Sequence, residues 1–559
     1  MDTRYITFMN WTRRTFLSAT GASTLLAQPR TKRPNIVLII SDDQGYGDLS
    51  LHGNPYLNTP HIDRIGKEGA QFTQFQVCPV CSPTRASLMT GRYNYRTGVV
   101  DTYLGRSMMH TDEVTLPQIL KQAGYRTGIF GKWHLGDTYP MRPLDRGFEE
   151  GVYIKGGGIG QPSDPPAGSS YTNPFVYENG KLVQKKGYCT DIFFRAAQEF
   201  VAAHREEPFF CYLAPNAPHD PLEIADAYVA PFRGKNLGAK TEKVYGMVAN
   251  LDENVANLIN TLEKLYLLDD TILIFMTDNG PQHERYNAGM RGIKTSVYQG
   301  GIRVPFLVRF PPRIKPGWEV NYIAAHIDIL PTLADFCRVR LPENLKIDGR
   351  SLVPVLTGQP SQWPDRTIFT QWHRGDEPVL FQNAAARTQR YKLVNGSELY
   401  DMDNDPSEAK NIAAAKPEIV AKLRQEMVAW FQEVSETRGY APPRIFVGTE
   451  VDNPVVLTRQ DWRGPEAGWD RTSIGFWEVD VRAKGNYEIL LRIPAAKDDG
   501  EATVHFGMRD WKQKFTKGSE EVRFAALAFD ARKGRLEASY SYSGSNSKLG
   551  VLMAEIRRM

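Results

Sequence analysis

A chain of 559 residues with 41% hydrophobic and 24% charged residues has room for more than one domain and the make-up of an ordinary globular protein. Its 68 basic residues against 64 acidic ones leave a net charge of +4, too even over this length to predict a nucleic-acid or membrane-surface partner. No apolar run reaches the length of a membrane helix, and five cysteines are too few for a disulfide framework; a single bridge such as Cys189 to Cys211 is the most they would support.

Near the start, Thr12-Arg13-Arg14-Thr15-Phe16-Leu17 precedes a weakly apolar run of small residues and an Ala27-Gln28-Pro29 cleavage neighbourhood. This resembles a bacterial twin-arginine export signal, the alternative being a basic tail, so residues 1–33 are set aside as signal and linker. The mature protein is then expected to be exported, periplasmic or extracellular. Residues 35–41 form a continuous apolar run, read as a buried parallel strand. Asp42-Asp43-Gln44-Gly45 follows at its C-terminal end, where open α/β sheets place ligands. Two adjacent carboxylates there form either a solvated turn or a cation site. His61, in Asn58-Thr59-Pro60-His61-Ile62-Asp63, reads as structural.

Cys81-Ser82-Pro83-Thr84-Arg85 opens a short helical stretch that runs to Gly91-Arg92, with Arg85 one turn beyond Cys81. Alone, a cysteine in such a turn is a buried thiol more often than a nucleophile. Cys78, three residues earlier, raises a redox-pair or zinc reading that needs a second pair it does not have. Thr115-Leu116-Pro117 starts a helix that Gly124 stops, and residues 125–130 lead into Gly131-Lys132-Trp133-His134. In an extended segment Lys132 and His134 point the same way. Residues 156–170, rich in Gly, Pro and Ser, should be an irregular loop near any site.

A helix is expected over 191–205 and a strand over 208–213. The latter leads into Ala214-Pro215-Asn216-Ala217-Pro218-His219-Asp220-Pro221, a loop that projects His219. A long helix over 242–267 precedes an apolar strand, 271–277, that ends in Asp278-Asn279-Gly280. Two apolar strands thus each end in oxygen donors. If they are parallel in one sheet, Asp42, Asp43, Asp278 and Asn279 converge as a site for a hard cation, Ca²⁺ or Mg²⁺. Lys294 precedes Gly300-Gly301-Ile302-Arg303-Val304-Pro305, and a strand follows at 306–310. Residues 390–394 and 398–402 look like a hairpin of a smaller antiparallel sheet, and Ile419, Leu423, Met427, Trp430 and Val434 mark a closing helix.

Four of these stretches, around Asp42-Asp43, Cys81-x-Pro-x-Arg85, Gly131-Lys132-Trp133-His134 and Asp278-Asn279-Gly280 with Lys294, together resemble the type I sulfatases over about residues 34–439. Gly292-Ile293-Lys294 departs from the family's usual Gly-Gly-Lys, with the Lys position intact. The resemblance implies an alkaline-phosphatase-like α/β fold: a mixed central sheet sandwiched by helices, with a small antiparallel subdomain at about 365–440. It implies sulfate ester hydrolysis in which Cys81 is oxidised to formylglycine (3-oxoalanine) by a formylglycine-generating or sulfatase-maturing enzyme. Arg85, Lys132, His134, His219 and Lys294 then complete the catalytic set, with His219 protonating the leaving oxygen. The four oxygen donors hold the divalent cation. The substrate would be a sulfated small molecule or glycan. A phosphate or phosphonate monoester hydrolase on the same scaffold, and a non-catalytic glycan-binding protein, are the competing expectations.

The texture changes after Pro442-Pro443. From residue 445 to 559, short alternating segments with glycine turns predict an accessory antiparallel β sandwich outside the resemblance. Its aromatics Trp462, Trp469, Trp477 and Trp511 read as core residues rather than sugar platforms. Oligomeric state has no signal in the chain.

Overall fold

The strand Asn35–Ser41 is buried along its whole length, and so is Thr271–Thr277. Both are unbroken apolar runs because helices cover both faces of the sheet they share. The structure, a computed structural model, describes residues 33–164, 168–359, 363–545 and 547–559. Residues 1–32, where an export signal is expected, and three positions of the 156–170 loop lie outside the described residues. Pro34–Met559 form one compact unit.

We number the strands of the central sheet in chain order: β1 Asn35–Ser41, β2 Ala70–Phe72, β3 Arg126–Lys132, β4 Glu150–Ile154, β5 Phe175–Glu178, β6 Lys181–Gln184, β7 Phe209–Ala214, β8 Thr271–Thr277, β9 Phe306–Arg309 and β10 Trp318–Val320. Their spatial order is β10-β2-β9-β8-β1-β7-β3-β4-β5-β6. The middle, β8-β1-β7-β3-β4, is parallel, whereas β9 runs antiparallel to β8 and to β2, and β4-β5-β6 is an antiparallel meander. The sheet is mixed, as expected. Apolar side chains leave it on both faces. One set packs with Trp133, Leu330 and Leu333, the other with Phe193, Leu251 and Leu258 of the two long helices Cys189–Ala203 and Ala239–Lys264.

Register decides what this sheet does. Ser41 pairs with Thr277 across the parallel β1–β8 ladder, so the next residues, Asp42 and Asp278, emerge side by side. On the other flank β7 ends at Ala214 and β3 at Lys132, and all four ends open on one edge. The edge is the carboxyl end of a parallel sheet.

The smaller sheet is an antiparallel meander of Ile368–Gln371, Ala384–Arg387, Tyr391–Val394 and Glu398–Asp401, including the expected hairpin. The helix Pro417–Glu436 closes it with Leu423, Met427, Trp430 and Val434 buried.

After Ile445 two further sheets pack face to face around Trp462, Trp477, Tyr487 and Phe524. They differ from the expected all-antiparallel sandwich in one pair: Ile445–Val447 runs parallel to Phe476–Val481. The long connection between them permits a crossover that a hairpin would forbid. Leu104, Met108 and Met141, from before the central helix pair, are buried in this same apolar cluster. Cys189 and Cys211 are both buried and form no bridge.

Candidate active site

Cys81 is the first residue of the helix Cys81–Thr90, every residue of which is buried. Gly91 ends the helix in the left-handed region at φ 68°, where a side chain would be strained. The N-terminal end of the helix, with its free N–H groups and positive dipole, therefore faces the edge where the strands stop. Ligand atoms of Asp42, Cys81 and Asp278 all lie within 4.8 Å of one another, and so do those of Asp42, Asp43 and His219. Residues scattered over the chain between 42 and 278 thus share one cleft.

Three cations hold the three carboxylates. Arg85 donates from Nε and Nη2 to Asp278 Oδ2 at 3.1 and 2.7 Å, Lys132 Nζ donates to Asp42 Oδ2 at 2.7 Å, and Lys294 Nζ donates to Asp43 at 2.7 Å. Arg85, Lys132, Asp42 and Asp278 are wholly buried. Burial pushes the Asp42 and Asp43 carboxyls up, but the charges of Lys132, Lys294 and His219 overcome it and leave both below the usual range. Asp278 goes the other way: burial and the neighbouring Asp42 charge outweigh Arg85 and raise it to about 6. Burial pushes the Cys81 thiol up against the pull of Lys132 and Lys294, so the unmodified side chain is a poor thiolate.

The two histidines are oriented by carbonyls. His134 Nε2 lies 2.7 Å from the Thr102 carbonyl oxygen, which can only accept, so Nε2 carries the proton. The bare Nδ1 then faces Cys81 Sγ at 3.6 Å. Burial, followed by the Lys132 charge, holds His134 well below its ordinary pKa, so it is a neutral base. By the same logic His219 Nδ1 donates to the Asp220 carbonyl at 2.5 Å and turns Nε2 toward Asp43, 3.7 Å away. Burial lowers the His219 pKa although Asp42 and Asp43 draw it up.

Alternation along a strand does not explain how Lys132 and His134 meet at the site. Lys132 ends β3, but His134 sits at φ 63°, in the left-handed region, and turns back to Cys81. Asp43 at φ 61° and Thr295 at φ 75° share that strained conformation beside the same cleft. Gly157 is needed where it is: a Cβ there would come within 2.6 Å of the His134 ring. The glycine-rich loop therefore does border the site, and Ile159 and Gln161 line the cleft beside His219. His61, as expected, is away from this set, its N–H bonded to Asp252.

Two of the four oxygen donors fit a cation that hydrogen bonding leaves room for. Asp42 Oδ1 and Asn279 Oδ1 are buried among the described residues with no hydrogen-bond partner. Asp278 Oδ1 accepts only the Asp43 N–H, at 3.2 Å, and Asn279 turns its amide nitrogen to Asp43 at 2.8 Å. Buried oxygens of this kind without partners are what a hard divalent ion would satisfy. Sequence reasoning did not find the Thr102 carbonyl or the side chain of Asn216, whose two polar atoms are also buried and unpartnered near the His219 loop. Neither had a motif to signal it.

Comparison with known proteins bears on the family. A family model described as "Sulfatase" matches residues 34–338, and one described as "N-sulphoglucosamine sulphohydrolase, C-terminal" matches residues 293–433. The chain is 30% identical to an N-acetylgalactosamine-6-O-sulfatase of Bacteroides thetaiotaomicron, over 71% of this chain and 92% of that one. It is also 30% identical to human arylsulfatase A, over 74% and 90% of the two chains. The crystal structure of Ps i-CgsB in complex with k-i-k-neocarrahexaose superposes with a TM-score of 0.67 at 30% identity, covering 73% of this chain and 95% of that one.

Proposed function

The chain belongs to the sulfatase family and is a sulfuric ester hydrolase; from that premise we propose that it desulfates glycans through a formylglycine made from Cys81, with a divalent cation held by Asp42, Asp43, Asp278 and Asn279. The observation that carries this reading is the placement of Cys81 within 4.8 Å of two of those carboxylates, at the positive end of its helix and beside the buried Arg85 and Lys132. Oxidation of Cys81 supplies an aldehyde whose hydrate has two hydroxyls, one to take sulfate and one to expel it. The whole helix is buried, so a maturation enzyme has to reach Cys81 before the chain closes.

The chain's own residues then have distinct tasks. Three cations balance three carboxylates, so a divalent ion gives the pocket a net positive charge that gathers a sulfate ester. That ion would be Ca²⁺, or Mg²⁺, and it would polarise sulfate oxygens as a Lewis acid. Lys132 and Lys294 hold the sulfate oxygens, and Arg85 with Asp278 orients the residue derived from Cys81. His134, neutral and with Nδ1 bare, accepts the proton that releases sulfate. To act as the general acid His219 must be the imidazolium, the form that the Asp42 and Asp43 charges favour, and it then donates the Nε2 proton to the departing sugar oxygen.

Relatives named for N-acetylgalactosamine 6-O-sulfate and a neighbour crystallised with a neocarrahexaose support a sulfated glycan as substrate. The Arg13-Arg14 segment supports export, to meet such glycans outside the cytoplasm. No helix among the described residues is long and apolar enough to cross a membrane. Residues 445–559 are taken as an accessory β domain.

Mass spectrometry of the peptide containing Cys81, from active protein, should show the aldehyde in place of the thiol. Cys81→Ala should abolish sulfate release with the fold intact. Turnover retained by Cys81→Ala, or aryl phosphate cleaved faster than aryl sulfate, would defeat the reading.

A further inference from the structure

We propose that the β sheets after Ile445 supply one wall of the substrate cleft, where Trp469 with Tyr103 and Arg374 binds a second, acidic sugar of a sulfated oligosaccharide. A cavity of about 700 Å³ opens beside His219, and Tyr103, Gln161, Arg374 and Trp469 line it. Trp469 is the element foreign to the sulfatase core. Both matching family models end by residue 433.

The side chain is not one of the sandwich's core aromatics. Trp462 and Trp477 are 0% exposed, whereas Trp469 keeps 38% of its surface in solvent. The Tyr103 ring meets it edge to face, with centroids 5.4 Å apart at 80°. The Arg374 guanidinium lies 4.6 Å over the Tyr103 ring. Arg374 is half exposed, and Asp101, at 3.5 Å, is its one ion pair among the described residues. An indole face next to a half-solvated guanidinium suits an apolar sugar face bearing a carboxylate or a second sulfate.

The platform is also held still. The buried Arg459 donates to the Trp469 carbonyl at 3.3 Å and to the Asp470 carbonyl at 2.5 Å, and Trp462 Nε1 donates to Gly468 at 3.1 Å. The same segment is fastened to the core. Gln460 Nε2 donates to the Thr102 carbonyl at 2.9 Å, the oxygen that also accepts the hydrogen bond from His134 Nε2–H, and the Gly105 N–H donates to the Gln460 carbonyl at 3.0 Å. Binding groups fixed by their own supports lose little freedom when a ligand arrives. The direction of the ligand rests on the function proposed above: His219 serves the leaving oxygen and shares this cavity, so the sugar beyond that oxygen extends toward Trp469.

The test uses binding, so that it stands apart from catalysis. In the full chain carrying Cys81→Ala, affinities for chondroitin 6-sulfate and κ-carrageenan tetrasaccharides and for N-acetylgalactosamine 6-sulfate are measured by calorimetry. We expect at least one tetrasaccharide to bind tenfold or more tighter than the monosaccharide. Trp469→Ala or Arg374→Ala, added singly, should remove most of that gain, and Trp469→Phe should restore part of it. Arg374→Ala, at a half-exposed position, keeps the test open should Trp469→Ala misfold. No gain from chain length, or a gain that both replacements leave within twofold, would overturn the subsite. Trp469-dependent binding, with no sulfate released by the matured protein that keeps Cys81, would keep the subsite and refute the catalytic reading; sulfate release by that protein with binding indifferent to Trp469 would do the reverse.

Discussion

Replacing Arg85 separates a structural charge from a working one. At a helix start in solvent, an arginine and its ion pair would contribute about 0–1 kcal/mol. Here Arg85 and Asp278 are both fully buried, and the guanidinium fork donates twice to one carboxylate oxygen at 2.7 and 3.1 Å. Arg85→Met keeps the apolar stem and strands the Asp278 charge beside Asp42, whose proximity already helps to raise Asp278 to about 6. Breaking a buried pair in this way should cost about 3–5 kcal/mol. Asp278→Asn alone should cost a similar amount by stranding Arg85. The double variant should be less damaged than the sum of the singles, with a coupling of about 2 kcal/mol or more, because no buried charge is left without its partner. Urea denaturation followed by tryptophan fluorescence, in the presence of chelator, measures the three losses. Aryl sulfate turnover should be lost in all of them, since stability returns in the double variant but the site does not. A loss under about 1 kcal/mol for Arg85→Met, or singles that simply add in the double, would refute the pair as the anchor of the site.

Replacing His219 by Ala should slow desulfation of sugar alcohols by about 10²–10⁴-fold, the usual range for a lost general acid, and nitrophenyl sulfate far less. Equal losses on both would show that His219 does not protonate the leaving oxygen. Dialysis against chelator should abolish sulfate release and lower the melting temperature, and Ca²⁺ or Mg²⁺ at about 100 times its dissociation constant should return roughly 2.7 kcal/mol of stability. Unchanged melting and rate after metal removal would empty the proposed cation site. Asp461 faces Asp137 and Lys155 with one oxygen buried and unpartnered, and burial, then the Asp137 charge, push its pKa well above the usual value. A raised pKa in the folded state means stability that is whole below about pH 4 and is lost as pH rises through the folded value. Asp461→Asn should therefore raise the melting temperature at pH 8 and flatten its decline with pH; an unchanged slope would show that the carboxyl is not carrying the penalty.

The residues legible in the sequence were those whose role follows from local pattern. Strands covered on both faces need unbroken apolar runs, so β1 and β8 were visible, and carboxylates directly after them had to emerge at the sheet edge. His134 was placed near the site for an insufficient reason. Two-residue alternation assumes extended backbone, and a left-handed residue at 134 breaks it. The Thr102 carbonyl that sets the His134 tautomer has no side-chain signature at all, and its second partner, Gln460, is 358 residues away.

Trp469 shows what a pattern argument needs to ask of an aromatic residue. Trp477 lies within Phe476–Val481, whose buried and half-buried residues alternate, and such a position has a core to face. Trp469 lies in Gly464-Pro465-Glu466-Ala467-Gly468-Trp469-Asp470, between strands, with no apolar neighbour at either two or four residues' spacing except Ala467. A large aromatic outside any hydrophobic period has no sheet face to bury it, so it must be covered by another part of the chain or stand in solvent. Tyr103 covers its edge, and the remaining face is open to the cavity that holds His219. Grouping it with Trp462 and Trp477 by residue type alone hid the distinction that its surroundings in the sequence already carried.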